Sequence, residues 1–245
     1  HVELVDASNT VEELRWVKSE EEFRLIQKAC EISDQGMKVA VESLKPGVTE
    51  LQLAALAEHQ MMTLGSDRVK HHTIVASGSR TSLLHPFATQ KKIEKGDLVA
   101  IDLGAVYRGY CSDIARTCVV GRPEGELKNA FDVLRSVQNQ VLCKLRPGVS
   151  IQEIEALAQE ATQGAGYQLI GYVGHSIGLK VEEHPRLRTT RTPYRDVKIA
   201  GNMVFALLQA SIRSKRNLGI RLEDTMVVTG SGAKILTNYP RELFF

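Results

Sequence analysis

Asp102 and Asp113 sit on the two arms of a segment, residues 98–113, whose alternating apolar residues and central Tyr-Arg-Gly predict a β-hairpin. With Tyr107 and Arg108 as its two-residue turn, the carboxylates stand directly opposite each other, Cβ atoms about 4.5–5.5 Å apart. Like charges at that separation destabilise a sheet unless a cation holds them or one is protonated, so the pair suggests a metal site or an acid/base dyad. A longer turn would change the register and leave both carboxylates solvated, and the residues alone keep both readings open.

Two more residues could join the pair. His175 lies within Gly174-His-Ser-Ile-Gly178, where flanking glycines let backbone approach closely and leave the imidazole free as a ligand or proton carrier. Glu223 precedes the apolar strand 225–228; pointing inward it requires a cation or hydrogen bonds, pointing outward it means little. Carboxylates with one imidazole suit Mn²⁺, Co²⁺, Fe²⁺ or Zn²⁺, in a site shared by two ions about 3.5–4 Å apart that activates water for hydrolysis. His85, before Pro86, could donate to a developing oxyanion there, or could merely stabilise its turn. His71 and His72 are adjacent and face opposite ways on a strand, so no shared site is assigned to them.

The elements that must position these residues are repeated. At an offset of 101, residues 44–65 match residues 145–166, Leu-Lys-Pro-Gly-Val-Thr against Leu-Arg-Pro-Gly-Val-Ser, with eight positions identical. In each copy a hydroxyl residue after Pro-Gly, Thr49 or Ser150, with Gln52 or Glu153 three residues on, makes a capping box, and the helix ends at glycine. A longer helix precedes each copy. The first starts at the Ser19/Glu22 box with Phe23, Ile26, Cys30, Met37, Ala40 and Leu44 on one face; the second runs from about Glu124 with Phe131, Leu134, Val141 and Leu145. Strand-rich stretches, 73–120 and 167–228, follow each helix pair. Helix, helix, strands, twice over, reads as an α+β fold with pseudo-twofold symmetric halves and a functional site between them, the helices covering the convex side of a curved antiparallel sheet.

Composition bounds the class. A chain of 245 residues with 43% hydrophobic content can bury one large core. Its 31 basic against 29 acidic residues leave a net charge of +2, so no overall field draws it to nucleic acid or an anionic membrane; Arg213, Lys215 and Arg216 are a local basic cluster only. No apolar run reaches the roughly 18–20 residues of a bilayer span. Cys30, Cys111, Cys118 and Cys143 follow no metal-ligand or disulfide spacing and read as reduced thiols of a cytoplasmic protein.

These residues in this order resemble the pita-bread metallopeptidases: methionine aminopeptidase, Xaa-Pro aminopeptidase, prolidase and the related creatinase. The Xaa-Pro branch is most similar, through Ala76-Ser-Gly, His85, Gly96-Asp-Leu-Val-Ala-Ile-Asp-Leu-Gly104, Gly109-Tyr-Cys-Ser-Asp-Ile-Ala-Arg-Thr117, Gly174-His-Ser-Ile-Gly-Leu179 and Arg221-Leu-Glu-Asp-Thr225. The resemblance implies a pita-bread domain over residues 19–245, in halves of about 19–120 and 121–245, after a linker, residues 1–18, from an amino-terminal domain absent here. It implies that Asp102, Asp113, His175 and Glu223 are metal ligands, Asp113 and Glu223 bridging, and that His85 contacts substrate and steadies the tetrahedral intermediate. Two family residues are replaced. Leu208 stands for a fifth-ligand glutamate, with Gln209-Ala210 for its Pro-Gly, and Glu182 stands for a second histidine whose role His184 could take on a shifted loop. The implied function is a hydrolase like Xaa-Pro aminopeptidase or dipeptidase, using a divalent metal at one ion or none because of Leu208, acting on a peptide or small amide, in a chain that can pair as a homodimer. The alternatives are a member that binds a peptide or metabolite without turnover, and a metal-independent, creatinase-like hydrolase.

Overall fold

The computed structural model describes residues 2, 4–123, 125–190, 194, 196–208, 211–213 and 217–243. The expected helix start at Glu124, the pair Gln209-Ala210, and Lys215 and Arg216 of the basic cluster lie outside them.

The first half carries helices α1 (Ser8–Leu14), α2 (Glu20–Glu42) and α3 (Glu50–Thr63), then strands β1 (Arg68–Val69), β2 (Ile74–Ser77), β3 (Leu98–Leu103), β4 (Ala105–Tyr107), β5 (Tyr110–Cys111) and β6 (Ile114–Val119). The second carries α4 (Gly125–Lys144) and α5 (Ile151–Gly164), then β7 (Gln168–Ile170), β8 (Gly174–Ser176), β9 (Glu183–Arg186), β10 (Val204–Leu207), β11 (Ser211–Arg213), β12 (Gly219–Ile220), β13 (Asp224–Thr229) and β14 (Gly232–Ile235). All three full capping boxes form: Ser19, Thr49 and Ser150 each accept from the backbone N–H three residues on, and that residue's side chain accepts from the cap's own N–H. Gly65 and Gly166, at φ 96° and 80°, follow the repeated helices in the left-handed region.

The sheets repeat as the helices do. β2-β3-β6 and β1-β4-β5 in the first half correspond to β8-β10-β13 and β7-β11-β12 in the second, which adds β9 and β14 at the edges. Among the described residues every strand pairing is antiparallel. The fold is the α+β pita-bread arrangement. α2 packs on β3 to β6, and α4 lies against β11, β12 and β14. Met37, Leu53, Val99 and Ile101 belong to the core of the first half, Phe131, Leu134, Phe205 and Met226 to that of the second. A smaller cluster including Ile26, Cys30, Val106 and Val204 joins them.

Two features tie the molecule across its seam. Ala115 and Glu223 exchange both backbone hydrogen bonds, 3.1 and 3.0 Å, bridging β6 to the residue ahead of β13. Near the amino end, Lys18 reaches buried Glu183 at 3.1 Å and Arg15 donates to the same carboxylate, fastening the segment after α1 to β9. Among the described residues no helix is long and apolar enough to cross a membrane.

Candidate active site

The hairpin forms, with a different turn from the one expected. Tyr107 pairs with Tyr110, so the turn residues are Arg108 and Gly109, at φ 48° and 86°. Two successive positive φ values make the primed turn whose twist matches antiparallel strands, which Gly109 adopts at no steric cost. The register therefore moves by two residues: Asp102 pairs with Ala115, not Asp113. A shift of two leaves every side chain on its original face. Asp113 is consequently a diagonal neighbour of Asp102 on one face, and Glu223 stands beyond Ala115 across the seam.

A residue overlooked in the sequence reading occupies the space between the carboxylates. Lys70 follows β1, its backbone N–H donates to the Gly104 carbonyl at 2.9 Å, and its ammonium donates to Asp102 Oδ1 at 2.5 Å and to Asp113 Oδ1. Gly104 interrupts the hairpin arm between β3 and β4, and its missing side chain provides the passage. A Cβ there would sit 2.0 Å from the Ser112 carbonyl oxygen and 2.7 Å from Lys70 Cδ. Arg221 Nη1 holds the other Asp102 oxygen at 3.1 Å, while its Nη2 donates to the carbonyls of Leu83 and Leu84. Both Asp102 oxygens are thus engaged by protein cations, where a metal ligand was expected.

The remaining three expected ligands converge. Single ligand atoms of Asp113, His175 and Glu223 lie within 4.8 Å of one another, with His175 Nε2 at 3.9 Å from both Asp113 Oδ2 and Glu223 Oε1. All three residues are buried. The Ser176 carbonyl lies 3.0 Å from His175 Nδ1, which places the proton there and leaves the Nε2 lone pair facing the carboxylates. Among the described residues His175 Nε2 and Glu223 Oε1 have no hydrogen-bond partner. Two orphaned buried acceptors aimed at one point are costly in an apo protein and are what a bound cation would satisfy, so the donor set fits a divalent ion.

Electrostatics separate the carboxylates. Burial alone would raise Asp102, but the Lys70 ammonium and Arg221 guanidinium outweigh it and hold the group below the usual carboxylate range. Burial pushes Asp113 up, and the Asp102 charge adds to this against Lys70. Glu223 is raised well above its usual value by burial and by both aspartates. Burial lowers His175 to about 4, keeping it neutral. Lys70 would lose its proton more easily through burial, but the three carboxylates raise it instead. Three carboxylates against two protein cations leave one buried negative charge, which a proton or a metal must meet.

The expected catalytic residues lie outside this cluster. His85 is exposed on the loop after the short 3₁₀ turn Gly78–Ser82. Glu182 accepts from Tyr172 Oη and pairs with Arg186 Nε at 2.7 Å, and the Tyr172 ring stands edge-on to His175 at 6.3 Å. His184 packs against Tyr194, ring centroids 4.9 Å apart. Leu208 is fully buried in the core of the second half at φ 65°, one residue past the end of β10.

An antiparallel, internally duplicated α+β fold with carboxylates and a neutral imidazole at its seam defines a hydrolase of the pita-bread class. The pattern of metallopeptidase family M24 matches residues 24–230, and the chain belongs to that family, in its Xaa-Pro branch. It is 36% identical over 243 residues to the Xaa-Pro dipeptidase of Pyrococcus furiosus, spanning 98% of this chain and 68% of that protein. The prolidase structure from the same organism superposes with a TM-score of 0.88 at 36% identity, covering 94% of this chain and 67% of that one. The Xaa-Pro dipeptidase structure from Bacillus anthracis gives 0.91 at 33% identity, covering 97% and 66%.

Proposed function

We propose that the protein hydrolyses the amide bond of Xaa-Pro peptides with a divalent ion, Mn²⁺, Co²⁺, Fe²⁺ or Zn²⁺, held by Asp113, His175 and Glu223. The observation that carries the reading is the pair of orphaned acceptors, His175 Nε2 and Glu223 Oε1, converging with Asp113 Oδ2 at the buried seam. When bound, such an ion polarises a carbonyl and acidifies water. The residues themselves set the rest. His175 stays neutral through burial, Glu223 and Asp113 supply the anionic oxygens, and Thr225 fixes Asp113 by accepting from its N–H at 2.9 Å and donating to its carbonyl at 2.8 Å. His85, exposed on its loop, is free to reach a substrate oxyanion. Four unpaired cysteines support a reducing, cytoplasmic setting.

Lys70 favours a second reading, hydrolysis or peptide binding without metal, because its ammonium already neutralises part of the site. Chelation separates them. The proposal expects activity on an Xaa-Pro dipeptide to disappear in EDTA and return with Mn²⁺ or Co²⁺. Activity that persists in EDTA supports the metal-free reading, and saturable dipeptide binding without turnover supports a binding role.

A further inference from the structure

The carboxylate cluster is asymmetric in what holds it. Asp113 meets a cation on one side and the imidazole on the other: Oδ1 accepts from Lys70, while Oδ2 lies 3.9 Å from His175 Nε2. That is the disposition of a carboxylate bridging two cations, with the Lys70 ammonium as one of them. Asp102 is satisfied on the same side, by Lys70 and Arg221, and has no atom in the trio of convergent acceptors. The Lys70 side chain is 2% exposed and threads across Gly104, where even a methyl group would collide with it. A lysine that exposed its head to water would need no such passage. Leu208, in the place of a carboxylate, leaves fewer oxygens for a second ion, so a fixed monovalent cation suits the reduced charge of this centre.

We infer that Lys70 is a built-in cation occupying the place of one of two metal ions, so that the centre takes a single divalent ion between Asp113, His175 and Glu223. The inference rests on reading that trio as an ion site. Lys70 then acts as a positioning residue: it fixes Asp113 so that Oδ2 points to the ion, without touching substrate.

Calorimetric titration and electron paramagnetic resonance with Mn²⁺ alone test this on the full chain. The unmodified protein is expected to bind one Mn²⁺ per chain with the six-line spectrum of an isolated ion. Lys70→Ala is expected to take two, with a spectrum broadened by coupling between ions about 3.5–4 Å apart. Asp102→Asn, useful should Lys70→Ala fail to fold, is expected to retain the single ion with affinity changed less than about tenfold, because Asp102 serves Lys70 and not the ion. Two ions in the unmodified chain, a folded Lys70→Ala still limited to one, or loss of the ion in Asp102→Asn would each overturn the inference. A one-ion chain that never cleaves Xaa-Pro dipeptides would uphold the inference and defeat the hydrolytic reading. A two-ion chain that cleaves them would do the reverse. No ion in the unmodified chain would remove both.

Discussion

The two halves of the molecule share strand order and the capping boxes of α3 and α5, yet treat their acidic positions in opposite ways. In the first half Asp102 stands three residues ahead of β4 and Asp113 immediately ahead of β6, and Lys70 spans both. In the second half Leu208 stands three residues ahead of β11 and Glu223 immediately ahead of β13. Among the described residues no lysine or arginine pairs with Glu223, and its Oε1 is unpartnered. One half holds its counter-charge internally; the other has a leucine at the matching position and leaves Glu223 Oε1 without a partner among the described residues. Symmetry of backbone therefore does not carry symmetry of charge, and the open side is where the proposed ion would bind.

Removing Lys70 should break this contrast most severely. Lys70→Ala leaves Asp102 and Asp113 as diagonal neighbours in a buried site, and breaking a buried pair costs about 3–5 kcal/mol. Urea denaturation in EDTA measures it; a loss below about 1 kcal/mol would mean that the first-half pair is solvated. Leu208→Glu attempts to restore the symmetry and should instead destabilise the chain by roughly 3 kcal/mol, since the new carboxylate enters an apolar core without a partner. An added equivalent of Mn²⁺ bound by this variant, with unchanged stability, would show that the side chain can swing to the seam.

Gly104→Ala isolates the passage through which Lys70 reaches across. Overpacking against the Ser112 carbonyl and Lys70 should cost about 1–3 kcal/mol, and combining it with Lys70→Ala should cost less than the two changes separately, because the collision with Cδ disappears. Strict additivity in a double-mutant cycle would place the whole penalty on the backbone contact. The smallest effect probes what the halves hold in common. Thr49→Ala and Ser150→Ala each remove an equivalent cap and should each cost about 1 kcal/mol; unequal values would reveal that the second repeat is held chiefly by packing.

Much of this comparison could be read from residue order. The repeated Pro-Gly and capping boxes gave the helices because caps are local interactions, encoded within four residues. The direct pairing of Asp102 and Asp113 did not survive the incorrect turn, but their placement on one face did, because a two-residue slip preserves parity on a strand. The turn itself depended on two positive φ values, and Arg108 carries no side-chain signal for one. Lys70 was missed because its contacts span 32 and 43 positions of chain and depend on the register of β1 against β4. The available clue was Gly104, a gap between two acidic positions that asks what passes through it. The packing of His184 against Tyr194 also carried no local signal, since the two residues meet through the loop that joins β9 to β10.

The paired backbone bonds between Ala115 and Glu223 also make the seam a gauge of cooperativity. Their amide protons can exchange with solvent only when the halves part or the chain unfolds, so their exchange rates report the free energy of that opening. An ion bound by Asp113 from one half and by His175 and Glu223 from the other is bound only by the closed form. It should slow both amides by the factor 1 + [L]/Kd expected of a ligand that closes a hinge, while amides confined to the outer helices keep their own rates.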